Sequence, residues 1–597
     1  MRNYFFFFIF LVLLSCKTEE QKPQPVFKTV FETSNGQQTA TYEEVIEFYL
    51  KLAKNTPEIN VQTIGETDSG KPLHLVTYNA DGIFNFQKLG ADKLVVLINN
   101  GIHPGESDGI DATMLLFRDL ASNFLKGPKN IVVVTIPVYN VGGMLDRNSW
   151  TRANQNGPKA YGFRGNSQNY DLNRDFIKSD TKNASTFSTI FHLTQPDLFI
   201  DNHVSNGANY QYTLTHLFTQ HNKLGGSLGT YLNEEMMPGL TEELGKANWD
   251  ITPYVNVFNR PPETGFDQFL DHPRYSTGYT TLWNTLGMMV ETHMLKPYKQ
   301  RVLGTYQVLS SMLNIAARDR KKIKDLRNRA LTNINAMKEY YLNWQIDTTK
   351  SKTIYFKGFK ADTVISQVTG FERIKYDENI PIEKEVIYKN QYYPKDTVVI
   401  PAAYIIKKGW WRVKEHLEQN KIQFHLLDKD STLLVESYRI SDYNTSNRPY
   451  EGHYPHYGTL VNVSTKLMQF EKGDLVVPTN QKGIRYLLET LEPTATDSFF
   501  NWNFFDSILQ QKEGFSPYVF EDEALKLLEN DSLLRQKFSQ KKMAEPQFEQ
   551  NWYAQLDWLF KQSKYYESAH MQYPVFRIMR GSETENILSN YQSSKSN

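Results

Sequence analysis

Apolar positions first gather in one unbroken run, residues 4–14, behind a single basic residue, Arg2. The run is too short for a comfortable membrane span and reads as an export signal. Residues 17–25 are polar, contain prolines and show no periodicity, the pattern of a flexible tether. From about Tyr42 to about Leu286 the texture changes. Short buried-type runs alternate with helical spacing: residues 94–98 (LVVLI) lead through Asn-Asn-Gly into Ile110, Met114, Phe117, Ala121 and Phe124. Residues 131–138, 198–200 and 288–290 are further β-rich runs, each followed by a polar loop. This alternation predicts an α/β fold, a mixed, mostly parallel sheet flanked by helices.

The pattern then predicts long helices over residues 297–344, short strands over 353–404, including 397–400, a helix over 409–419 and a strand over 422–427. A run of aromatic residues, Phe499, Phe500, Trp502, Phe504 and Phe505, reads more often as core than as a glycan-binding platform. The chain therefore divides into a signal (1–16), a tether (17–30), a first domain (31–345) and a C-terminal α+β or β-rich accessory region (346–597). No repeat of fixed period is visible.

At 597 residues and 40% hydrophobic, the chain can bury more than one core. Lys+Arg and Asp+Glu balance at 66 each, so net charge gives no reason to expect a nucleic-acid partner. Cys16 is the only cysteine, and Leu13-Leu14-Ser15-Cys16 resembles the lipobox of bacterial lipoproteins. That resemblance implies an acylated Cys16 as the lipid attachment site and an exported protein on the outer membrane, facing the periplasm or the cell surface. A plain secretory signal with an incidental cysteine is the alternative.

Four segments carry candidate chemistry, all in loops that follow strand-like runs. In His103-Pro104-Gly105-Glu106, an imidazole and a carboxylate three residues apart on a turn suit one Zn²⁺ ion, although such a pair also arises by chance. In Asp171-Leu172-Asn173-Arg174-Asp175, a guanidinium beside an amide can clamp a substrate carboxylate, or simply bridge surface acids. His203 ends a buried-type strand, where open α/β sheets bind ligands. His192, His216 and His221 are rival ligands. Glu291 ends the apolar run GMMV, a costly place for a carboxylate unless a hydrolytic water needs a general base.

Together, in this order, these segments resemble the zinc carboxypeptidase family of carboxypeptidases A and B and their cytosolic relatives, over roughly the first half of the chain. The resemblance implies one Zn²⁺ per chain held by His103, Glu106 and His203, with Asp171 buttressing His103. It implies that Asn173 and Arg174 bind the C-terminal carboxylate, that Arg164 polarises the scissile carbonyl, with Arg152 and Arg147 as rivals, and that Glu291 is the general base. Tyr275 and Tyr279 are both candidates for the tyrosine that caps the substrate. The setting of His203, Asp201-Asn202-His203-Val204, departs from the family's usual context. No acid lies between Arg274 and Trp283, so a pocket for basic residues is not evident.

The expected activity is zinc-dependent removal of C-terminal residues from peptides with a free C-terminus. Two alternatives stand beside it: a zinc amidase or deacylase acting on cell-wall peptides or acylated amino acids, and a binding lipoprotein that has lost catalysis.

Overall fold

The computed structural model describes residues 27–122, 124–125 and 127–586, so Cys16 and the signal lie outside the described residues. The first long helix, α1 (Tyr42–Asn55), begins at Thr41, whose side chain accepts the Glu44 N–H while Glu44 returns a bond to the Thr41 N–H. That reciprocal cap satisfies two donors the helix cannot satisfy itself. Its Val45, Phe48, Tyr49 and Leu52 are buried.

The first domain is built on an eight-stranded sheet. Its strands are β1 (Ile59–Glu66), β2 (Pro72–Tyr78), β3 (Leu94–Asn99), β4 (Ile131–Ile136), β5 (Leu198–Ser205), β6 (Leu214–Phe218), β7 (Ile251–Pro253) and β8 (Leu286–His293). They lie in the order β1-β2-β4-β3-β5-β8-β6-β7. The central strands β4, β3, β5 and β8 are mutually parallel, whereas β1, β2 and β6 join by antiparallel pairing. Every residue of β3 and β4 is buried. Strands covered on both faces read as unbroken apolar runs, which is why these were legible in the sequence. Helices α2 (Asp108–Ala121), α3 (Lys182–Thr194), the short α4 (Ser276–Thr281) and the 39-residue α5 (Tyr298–Ala336) accompany the sheet, and α5 packs along α2.

Several expectations are corrected. Helix α2 stops at Ala121, and Phe124 lies beyond it, exposed. The helical stretch expected over 297–344 ends with α5. Trp344 instead belongs to a strand, β9 (Glu339–Ile346), in which Tyr340 and Leu342 are buried between exposed neighbours, a period of two. Most of the short strands expected after 353 merge into a single long hairpin, β10 (Lys352–Ile365) and β11 (Glu372–Lys389). Only His425–Leu426 of the 422–427 segment pairs as a strand. Phe499, Phe500, Trp502 and Phe505 are buried, which removes the glycan-platform reading.

The C-terminal region centres on a six-stranded sheet, with β12 (Ser431–Thr445) and β13 (His456–Phe470) as a long antiparallel pair at one side. One hydrophobic cluster runs from Phe31 through the first sheet to Phe499 and Val575, and β11 pairs with Phe266–Asp267 of the first domain. Among the described residues no helix is long and apolar enough to cross a membrane.

Candidate active site and metal centre

Strands β3, β5 and β8 run parallel, so the loops after β3 and the ends of β5 and β8 meet on one side of the sheet. Gly101, at φ +65°, turns the chain out of β3, and the Glu106 N–H then donates to His103 O at 2.7 Å, folding His103 and Glu106 back together. Gly105 has a different task. A Cβ there would lie 2.3 Å from Arg152 Nε, so only glycine lets Arg152 pass and reach Glu106. His203 and Glu291 are register partners on the adjacent strands β5 and β8.

His103, Glu106 and His203 are all buried, and their ligand atoms fall within 4.8 Å of one another, a group that can hold a metal. The rival histidines lie elsewhere. His192 packs edge-on against Trp283, His216 sits beside Phe218, and His221 opens a short helix. The Asp171 carboxylate accepts from His103 Nε2 at 2.9 Å. That bond places the ring proton on Nε2 and leaves Nδ1 as the donor atom, buried, 3.1 Å from Glu106 Oε1 and without a hydrogen-bond partner. Glu106 Oε2 is 3.2 Å from His203 Nδ1. Two imidazoles and a carboxylate, one imidazole braced by an aspartate, suit Zn²⁺.

The charges around this group favour a cation. Burial alone would raise the Glu106 carboxyl, but His103 and Arg152 hold it well below the usual carboxylate range. Asp171 is likewise held down against burial by His103, Arg164 and Arg174. Burial opposes the charged form of His203, yet Asp201, 2.9 Å from its Nε2, together with Glu106 and Glu291, keeps it well above its ordinary value. An imidazole that keeps a proton among these carboxylates sits where positive charge is stabilised, as the charge of a metal ion held by His103, Glu106 and His203 would be.

The remaining candidates divide. Arg164, Asn173, Arg174, Tyr275 and Glu291 line the same cleft as the three candidate metal ligands. Arg164 donates from Nε and Nη2 to Asp171 Oδ2 at 3.1 and 2.8 Å and reaches within 3.6 Å of Glu106. Arg152 ion-pairs with Glu106 at 2.7 Å, and Arg147 is spent on the carbonyls of Thr39 and Ala40. The Arg174 guanidinium stacks 4.6 Å from the Tyr275 ring. Asn173 Oδ1 accepts the Ser276 N–H, tying Asn173 to the start of α4. Tyr279 is a correction: it is 1% exposed, and its hydroxyl donates to Asn420 at 2.6 Å, so it belongs to the core and cannot cap a substrate. Burial, then the carboxylates Glu106 and Asp201, push Glu291 up to about 8 against the pull of His203 and Arg164.

Asp201 was not singled out in the sequence. It lies two residues before His203 on β5, so the period of a strand places both on one face, a signal that was there to read. Because Asp171 orients His103, Asp171→Ala should weaken zinc binding about 10–100-fold, measured by competition with a chromophoric chelator. Unchanged zinc affinity would remove Asp171 from that role.

Residues 45–209 match the family model described as zinc carboxypeptidase, a stretch that contains His103, Glu106, Asp171, Asn173, Arg174 and His203 but ends before Tyr275 and Glu291. Carboxypeptidase 2 of Trichophyton rubrum is 21% identical over 496 residues, covering 78% of this chain and 84% of the relative. Carboxypeptidase 2 of Trichophyton equinum matches at 21% over 495 residues with the same shares. Among solved structures, a metallo-carboxypeptidase from Burkholderia cenocepacia is similar at 16% identity, over 46% of this chain and 69% of that one, with a TM-score of 0.35. Carboxypeptidase A from Helicoverpa armigera is similar at 15% identity, over 49% and 74%, with a TM-score of 0.35.

Proposed function

We propose that this metallopeptidase is a zinc-dependent carboxypeptidase that removes C-terminal residues from peptides. The observation that carries the reading is the convergence, in one cleft, of a three-residue metal group, a buried carboxylate at Glu291 and a guanidinium–amide clamp at Arg174 and Asn173. Bound at the three-residue group, zinc supplies Lewis-acid polarisation of the scissile carbonyl and of the attacking water. Glu291 accepts the proton of that water at its carboxylate as the new carbon–oxygen bond forms, then gives it to the leaving nitrogen as the carbon–nitrogen bond breaks. Arg164 donates to the oxygen on which negative charge develops. Arg174 and Asn173 hold the terminal carboxylate, which restricts cleavage to chain ends.

The cleft walls include Leu217, Met289, Phe258 and Phe269, and among the described residues its only acids are Glu106 and Glu291. Both acids are engaged in chemistry, so an apolar or aromatic C-terminal residue fits best. Phe258 also lines a neighbouring cavity of about 570 Å³ together with Ala208 and, from the β10–β11 hairpin, Ile374 and Tyr376. That cavity is also lined by Asn259, Thr363, Glu372 and Arg373, so a peptide leaving the cleft over Phe258 meets mixed apolar and polar surface there. A substrate of about five residues should therefore be cleaved with higher kcat/KM than a blocked dipeptide, and Ile374→Asp should erase the difference. The first test is mass-spectrometric, on a mixed peptide pool with and without a zinc chelator. Stepwise loss of C-terminal residues that stops with chelator supports the reading. No trimming by zinc-loaded protein would move it to amide bonds in cell-wall peptides or acylated amino acids.

Attachment to a membrane through an acylated Cys16 is also proposed, resting on the lipobox-like Leu13-Leu14-Ser15-Cys16. The mass of the N-terminal peptide from protein expressed in a bacterial host tests it, and an unmodified Cys16 would refute it.

A further inference from the structure

Residues 346–597 supply none of the catalytic, metal or clamp residues described so far, yet two of their carboxylates reach the segments that carry the substrate clamp. Between β12 and β13 the chain forms a tight turn in which Tyr450 and His453 exchange backbone bonds, and Glu451 and Gly452 sit at φ 48° and 78°. A Cβ on Gly452 would lie 2.5 Å from Tyr170 Oη, so the turn is fitted directly onto the residue preceding Asp171. Glu451 Oε2 accepts the Asp171 N–H at 2.8 Å, across 280 residues of sequence. Beside it, His453 Nε2 lies 2.6 Å from Asp180, and Asp180 accepts from the fully buried Lys178 at 2.7 Å. Lys178 in turn donates to Asp175, which closes the Asp171–Arg174 turn.

The second carboxylate is Asp497. Fully buried, it accepts from Arg274 N at 2.8 Å, Nε at 2.8 Å and Nη2 at 2.6 Å, and from Trp502 Nε1 at 3.2 Å. Arg274 immediately precedes Tyr275, the ring against which Arg174 stacks. Both halves of the clamp are thus held from behind by the C-terminal region.

We infer that the C-terminal region is an integral component of the substrate site, with Glu451 and Asp497 acting as positioning residues for the Asn173–Arg174 carboxylate clamp and for the Tyr275 ring on which Arg174 stacks. The cost of placing Glu451 where it is supports a purpose. It is half-buried beside a second carboxylate, and burial first, then Asp171, raises its pKa, against Lys178, Arg174 and the Asp171 N–H. A carboxylate set next to another acid is expensive unless a bond there is needed. That bond fixes the backbone at Asp171, the start of the turn that carries Asn173 and Arg174. A role as simple stitching between two halves of the molecule would not single out substrate affinity, whereas a positioning role does.

This inference rests on the carboxypeptidase reading, and the experiment separates the two. In the full chain, Glu451→Ala should raise KM for a C-terminally free peptide about tenfold, the equivalent of one charge-assisted hydrogen bond, and change kcat less than about twofold. Glu451→Gln keeps an acceptor oxygen and should restore wild-type KM. Hydrogen–deuterium exchange over residues 171–174 should quicken in the Ala variant and not in the Gln variant. Equal KM in all three proteins, or equal damage by Ala and Gln, would overturn the inference. If wild-type protein trims no peptide, the carboxypeptidase reading falls, and the exchange contrast still decides whether Glu451 holds the clamp.

Discussion

Glu291→Gln should lower peptide turnover about 10²–10⁴-fold while leaving bound zinc and KM close to wild type. The variant keeps the shape of the side chain and removes only its ability to take and return a proton. Glu291 is outside the three-residue metal group, so zinc content measured by atomic absorption should not fall. Its environment is suited to proton exchange: with only protein charges around it, burial and nearby acids push it up to about 8. The charge of a bound dication pulls it back toward the ordinary range, so the same carboxylate can hold a proton briefly and release it. A Gln variant that retained more than about a tenth of wild-type turnover would exclude Glu291 as the base, since general-base losses are far larger than that.

Arg174→Ala should cost about 10²-fold or more in kcat/KM, carried mainly by KM, because it removes a charge-assisted clamp from a partly desolvated site. The informative comparison uses a peptide amidated at its C-terminus. Wild-type protein should process the amide far more slowly than the free acid, and the Ala variant should treat the two alike. If wild-type protein hydrolyses both equally well, no carboxylate clamp operates and the amidase alternative takes precedence. The Tyr275 ring loses its cationic partner in the same variant, which makes some of the loss cooperative rather than a measure of Arg174 alone.

What sequence could show here follows from how far apart the interacting residues are. The buried runs of β3, β4, β5 and β8 were visible because each strand answers to a local rule: two covered faces demand continuous apolar residues. The candidate metal donors and the candidate base were visible for a related reason. His103 and Glu106 share one turn, and His203 and Glu291, the proposed base, end such runs. A local pattern with two physical explanations misleads, as at residues 339–346, where aromatic residues after a long helix look like more helix. Helical and strand periods differ little over so few positions, and pairing with residues 392–399 decides the matter. Tyr275 and Tyr279 could not be separated by spacing: Tyr275 stands in extended backbone just ahead of α4 and lines the cleft, whereas Tyr279 lies inside α4, in a core shared with Asn420.

By itself, then, the sequence determined the strand runs and singled out the candidate metal donors and the candidate clamp residues, because each depends on neighbours within a turn or a strand. Only the tertiary structure decided that Glu451 holds Asp171, that Asp497 holds Arg274, and that the C-terminal region packs into the same core as the first domain. Those contacts join residues more than two hundred positions apart. Nothing in the local burial pattern of either partner encodes them, and they exist only where the summed path of the whole chain brings two surfaces together.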